Sequence, residues 1–168
     1  MPTMPIEVWQ RGPVAGYEPL LMPVAHSLLQ VKEELEALVG SLDEDAIWRT
    51  PPGAASIGFH IAHIGGSTER LLTYARGEQI SPEQLAAARA ESTERPSRDV
   101  LLSRTLDALD RALAQVRSTP VDSLLLERKV GRAGLPSTTL GLLFHAAEHA
   151  TRHAGQALTT TRILARER

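Results

Sequence analysis

The chain has 168 residues, a formal charge of −2 and no cysteine, which points to one ordinary domain and excludes disulfides, thiolate metal sites and a cysteine nucleophile. Without a basic surplus there is no electrostatic footprint for a phosphate backbone, so no nucleic-acid partner is expected. No run of about 18 apolar residues offers a membrane span, the N-terminus MPTMPIEVWQRGP lacks the basic-then-apolar order of a signal peptide, and the lack of cysteine fits a cytoplasmic protein.

Aromatic residues make up only 4% of the chain, so Leu, Ile, Val and Ala must build the core, and Ala and Leu favour helix. Residues 1–22 are rich in Pro and Gly and read as an extended arm laid over the domain, residues 23–168, with Trp9 and Tyr17 as its anchors. A first helix is expected from about Pro23 to Val39. Its Val24, Leu28, Val31, Leu35 and Leu38 fall at spacings of four and three, one apolar stripe, and Gly40 is a natural stop. Asp43 to Trp48 suits a short turn, and Thr50-Pro51-Pro52-Gly53 is a break.

A second helix is expected from about Ser56, a good N-cap, to Arg76, with Gly77 as its stop. Ser81-Pro82-Glu83-Gln84 has the form of a capping box with Pro at the first helical position, opening a short Ala-rich helix that ends before Pro96. Ser97 caps a third long helix reaching about Arg117, with Leu102, Leu106, Leu109, Leu113 and Val116 as its stripe. Pro120 to Pro136 is a long connection with room for a short hairpin. Ser137 or Thr138 caps the last helix, which runs to about Leu164. Four long amphipathic helices make the fold all-α, a four-helix bundle. No Gly-rich phosphate loop or nucleophile elbow occurs.

The six histidines are not scattered. His60 and His63 lie on the second helix and His145, His149 and His153 on the last, while His26 stands apart on the first. Residues four apart stack on one helical face about 6 Å apart along the axis, so His149 and His153 can converge on one ion. A third ligand must come from another element. On the last helix Leu140, Phe144, Ala147 and Leu158 mark an apolar side, Glu148 and Arg152 a charged strip. His145, His149, His153 and Gln156 share a stripe without Lys, Glu or Arg, so the histidines are expected to line an internal groove. On the second helix Ile57, Ile61, Ile64 and Ala75 centre the apolar face, with His60 about 70° and His63 about 130° from it at roughly 100° per residue. Amphipathicity alone selects His60 as the inward residue. Phe59 and Gly66 share the stripe of His63, so that stripe is also open to packing, and periodicity leaves the choice unresolved.

The segment F-H-A-A-E-H-A-T-R-H-A-G-Q, residues 144–156, resembles the last-helix motif of the DinB/YfiT-like superfamily, a His-x-x-x-His pair ahead of a small residue and Gly-Gln. The segment S-I-G-F-H-I-A-H, residues 56–63, resembles the second-helix motif of the same family, whose register implies His63 rather than His60 as the ligand. The resemblance spans about Val24 to Leu164. It implies an up-down-down-up four-helix bundle, dimers, and one divalent ion, zinc or nickel, on His63, His149 and His153 with open positions for water. His60, His145 and Gln156 are candidates to support that shell. Glu69 and Glu148 are nearby carboxylates for which a solvated surface role is the simpler expectation. Family members of assigned activity include thiol S-transferases that use bacillithiol or mycothiol and a mycothiol-dependent maleylpyruvate isomerase. The leading expectation is therefore a metal-dependent transferase that joins a low-molecular-weight thiol to an electrophile. A metal-dependent hydrolase and a non-catalytic, metal-stabilised stress-response protein are the alternatives.

Overall fold

The computed structural model describes residues 6–166; the first five residues of the expected arm and the last two of the expected bundle domain lie outside them. The helices are α1 (Met22–Gly40), α2 (Ile57–Ala75), α3 (Pro82–Ala90), α4 (Arg98–Ser118) and α5 (Thr139–Arg166). Strands β1 (Glu127–Val130) and β2 (Leu135–Thr138) form an antiparallel hairpin in the connection before α5. Its turn contains Gly131 and Gly134 at positive φ, a conformation that glycine adopts without steric cost. The four long helices form the bundle. Helix α2 packs against α5 and α4, and α1 packs against the same two. Among the described residues no helix is long and apolar enough to cross a membrane.

Local sequence sets where these elements begin. Ser56 caps α2, its Oγ accepting the Phe59 amide at 3.1 Å. Ser81 and Gln84 complete the capping box of α3. Thr138 caps α5 by accepting the Gly141 amide. Ser97 precedes α4 but does not cap it with its side chain; Glu44 accepts the Arg98 amide instead. All five residues of the α1 stripe are buried.

Two expected faces are rotated. On α4 the buried side is Leu101, Thr105, Ala108, Leu109, Ala112, Leu113 and Val116, with Leu102 and Leu106 only half-buried. On α5 Phe144 is 61% exposed and Leu158 is 40% exposed, while Leu143, Ala146, Ala147, Ala150, Ala154 and Ala157 are buried. On α5 small side chains let helices approach closely, so an alanine-rich stripe takes the buried position over Phe144 and Leu158. On α4 only the first turns shift, to Leu101 and Thr105, while Leu109, Leu113 and Val116 of the expected stripe stay buried. Thr105 meets α2 directly, since its Oγ1 donates to the Ile61 carbonyl of α2 at 3.1 Å. A Cβ on Gly65 would lie only 3.3 Å from the Thr105 backbone.

Of the two expected anchors of the arm, Tyr17 is buried and Trp9 is not. The Arg117 guanidinium lies 4.8 Å from the Tyr17 ring centroid. Trp9 is 61% exposed, and its neighbour Val8 is buried instead, with its amide donating to Gln30. Val8 follows Glu7 into a single 3₁₀ turn, Val8–Arg11, that points it inward, and Arg11 closes the contact with a two-bond ion pair to Glu33.

Trp48 holds the start of α2 from outside. Its Nε1 donates to the Pro96 carbonyl at 3.0 Å, and the Arg95 guanidinium sits 4.7 Å from its ring. The ring lies where a side chain on residue 58 would be: a Cβ on Gly58 would come within 2.5 Å of it. Gly58→Val should therefore destabilise the fold by about 1–3 kcal/mol, the usual cost of overpacking. Urea unfolding of the two proteins checks this, and an unchanged midpoint would contradict the assigned role of Gly58.

Candidate metal centre

The Ser56 cap sets the phase of α2, and that phase carries His60 and His63 towards α5 from two angles. His63 Nε2 lies 3.0 Å from His149 Nε2, and His60 Nδ1 lies 3.0 Å from His153 Nδ1. The ring centroids of His63 and His153 are 4.6 Å apart, as are those of His149 and His153. One nitrogen from each of His63, His149 and His153 falls in a group whose members all lie within 4.8 Å of one another. Nitrogens that share a zinc ion about 2.0–2.1 Å away lie about 4.2 Å or less from each other, so small side-chain rotations bring this group onto one ion. His60, the inward residue by amphipathicity, is buried at 6% exposure and stands behind His153. The stripe of His63 is packed as Phe59 and Gly66 allowed: Phe59 stacks on the imidazole at 5.5 Å and 9°.

The remaining candidates disperse. His145 is exposed and pairs with Glu148, which also accepts two bonds from Arg152. Gln156 is exposed on α5. Glu69 pairs with Arg111. His26 is within 3.0 Å of the Gly12 carbonyl and belongs to the contact between the arm and α1.

Glu91, one residue beyond α3, was not among the candidates. Its Oε2 lies 2.7 Å from His63 Nδ1, and its Oε1 accepts from Arg70 at 2.5 Å. Burial pushes the Glu91 carboxyl up, but the hydrogen bonds from His63 and Arg70 outweigh it and hold the group below the ordinary range. The available signal was Gly66. A glycine inside a helix costs about 1 kcal/mol relative to alanine, so it hints at a close approach. Here a side chain on residue 66 would collide with the Glu91 carboxylate.

The site disfavours protons. Burial, then the neighbouring His63, pushes His60 down. His149 is lowered by burial first, then by electrostatic interaction with His63, His145 and Arg152. Burial and the surrounding imidazoles push His153 down to about 4. Neutral imidazole is the form that binds a metal.

The sequence profile of the DinB superfamily matches residues 27–157. The chain belongs to the DinB superfamily. Among solved structures it is similar to a DinB-like protein from Bacillus cereus ATCC 10987, at 15% identity and a TM-score of 0.65, covering 84% of this chain and 91% of that one. It is similar to a mycothiol-dependent maleylpyruvate isomerase, at 17% identity and a TM-score of 0.61, covering 83% of this chain and 61% of that one. It is also similar to the colibactin self-resistance protein ClbS, whose structure is a complex with double-stranded DNA, at 14% identity and a TM-score of 0.60, covering 82% of this chain and 93% of that one. No curated protein matches the chain in sequence. The ClbS complex corrects one expectation: nucleic-acid partners cannot be dismissed for this fold from net charge. Net charge is a sum over the whole surface and carries no information about how charge is arranged locally.

The lowered His153 has a measurable consequence. Above the ordinary pKa of 6.5 it is neutral in both folded and unfolded chains. Between 6.5 and about 4 the unfolded chain takes up a proton that the folded chain refuses, so this residue removes stability as pH falls through that window. In the metal-free protein an NMR titration of the His153 ring should give a midpoint near 4; a midpoint at the ordinary value would contradict the packing described.

Proposed function

We propose that this chain is a metal-dependent thiol S-transferase, with one divalent ion, zinc or nickel, held by His63, His149 and His153. The observation that carries the reading is the meeting of three imidazoles from two helices in one half-buried group. Catalytic zinc sites keep three protein ligands and an open position, whereas structural sites usually close with four. The fourth imidazole at hand, on His60, is 3.0 Å from His153 and lies outside the three-residue ligand group. The His63 side chain retains 23% exposure, which leaves a way in from solvent.

An ion held there would supply Lewis acidity strong enough to ionise a thiol at neutral pH. The chain's own residues do the rest. His149 and His153 would hold the ion from α5, and His63 would hold it from α2. Phe59 covers one face of His63. A cavity of about 230 Å³ lined by Trp48, Ala62, Gly66, Leu101 and Glu91 among others adjoins the site through Glu91, and none of the three histidines lines it. The low-molecular-weight thiol is of the mycothiol or bacillithiol class, a reading supported by the shared fold with the mycothiol-dependent isomerase.

The test is conjugation of monochlorobimane by the zinc- or nickel-loaded protein with mycothiol, bacillithiol and glutathione in parallel. A rate above the thiol-only background is expected with at least one of the first two. It should fall to background after chelation and in His149→Ala and His153→Ala, but persist in His26→Ala. Conjugation that survives removal of the ion would contradict the mechanism.

A further inference from the structure

We infer that Glu91 is a positioning residue for the ion: it holds His63 in the tautomer with its proton on Nδ1, so that the Nε2 lone pair faces His149. This rests on the reading of His63 as a ligand.

Helix α3 has no buried residue of its own, so apolar packing does not explain why its end lies against α2. Polar contacts hold it there. Gln84 Nε2 donates to Thr73 Oγ1 at 2.9 Å near the start of α3, and the Glu91 carboxylate bridges Arg70 and His63 just past its end. The side chain of Glu91 is only 9% exposed, and each of its oxygens has a partner. The α2 backbone makes room for it at Gly66, where any Cβ would meet the carboxylate and Arg70. A long acidic side chain is thus buried, paired twice and given a glycine cradle, all directed at one imidazole nitrogen.

The chemistry of the pair fixes the tautomer. An ionised carboxylate only accepts hydrogen bonds, so His63 Nδ1 must be the donor at 2.7 Å. In the neutral ring that leaves Nε2 without a proton. This nitrogen lies 3.0 Å from Nε2 of His149, a second member of the three-histidine group. Glu91 lies outside that group, so it acts on the ion through His63. Partners that orient a ligating histidine in this way are typically worth about 10–100-fold in metal affinity.

The experiment compares wild type with Glu91→Ala, Glu91→Gln and Gln84→Ala. The first readout is the ¹⁵N NMR signature of His63 in metal-free protein at pH 8, and the second is zinc affinity by competition with a chromogenic chelator. Wild type should show the proton on Nδ1. Glu91→Ala should lose that preference and about 10–100-fold in zinc affinity. Glu91→Gln, whose amide oxygen still accepts, should keep the Nδ1 proton and lose less. Gln84→Ala loosens α3 without touching His63 and should leave both readouts near wild type. A Glu91→Ala protein with unchanged tautomer and affinity would overturn the inference. So would a Gln84→Ala loss as large as that of Glu91→Ala, because docking of α3 would then be the cause. If wild type binds no zinc, the ion site itself fails, while the His63 tautomer still decides what Glu91 does.

Discussion

The site depends on how closely α5 packs into the bundle. That helix buries Ala146, Ala147, Ala150, Ala154 and Ala157, and α2 buries Gly58 and Gly65. With small side chains in the buried positions the helix axes come together, and imidazoles on neighbouring stripes reach across with ring centroids about 5 Å apart. Larger residues on those stripes would widen the separation. A histidine side chain is too short to span a wide gap and still share an ion. The alanines thus contribute little apolar area each, but they set the distance at which the histidines act.

Phase matters as much as distance. A helix turns about 100° per residue, so a slip of one residue in α2 would carry His63 away from His149. Two features at its start prevent this. The Ser56 side chain fixes the first turn. The Ile47 carbonyl accepts the Gly58 amide at 2.7 Å while the Trp48 ring covers the glycine. The connection before α2 is therefore part of what aims the site, although it contributes no ligand.

The parts of this structure that were legible in the sequence are those set by local chemistry. The capping box at Ser81, the cap at Ser56, the glycine stop at Gly77 and the stripe of α1 all depend on residues within a few positions of one another. The i, i+4 pair His149 and His153 is legible for the same reason. What was not legible depends on contacts between distant segments. The choice between His60 and His63 turns on which neighbour each ring meets, and only the family register addressed it. Phe144 was placed inside on hydrophobicity, whereas the close approach of helices selects alanine. Trp9 is expected as an anchor because it is one of the arm's aromatic residues, but a 3₁₀ turn directs Val8 inward. Glu91 was invisible because its partner lies 28 positions away and its helix has no apolar face to mark it. The shape of the electrostatic surface is likewise hidden in a net charge, and there an expectation about nucleic acid had to be withdrawn.

The central claim is that three imidazoles, one from α2 and two from α5, hold a single divalent ion. X-ray absorption spectroscopy of the zinc-loaded protein, purified without a nickel column, together with elemental analysis, tests it most directly. About one ion per chain is expected, with three imidazole nitrogens at roughly 2.0–2.1 Å and one fewer in His63→Ala if the ion is retained. A protein that refuses zinc, or a spectrum without imidazole scattering, would contradict it.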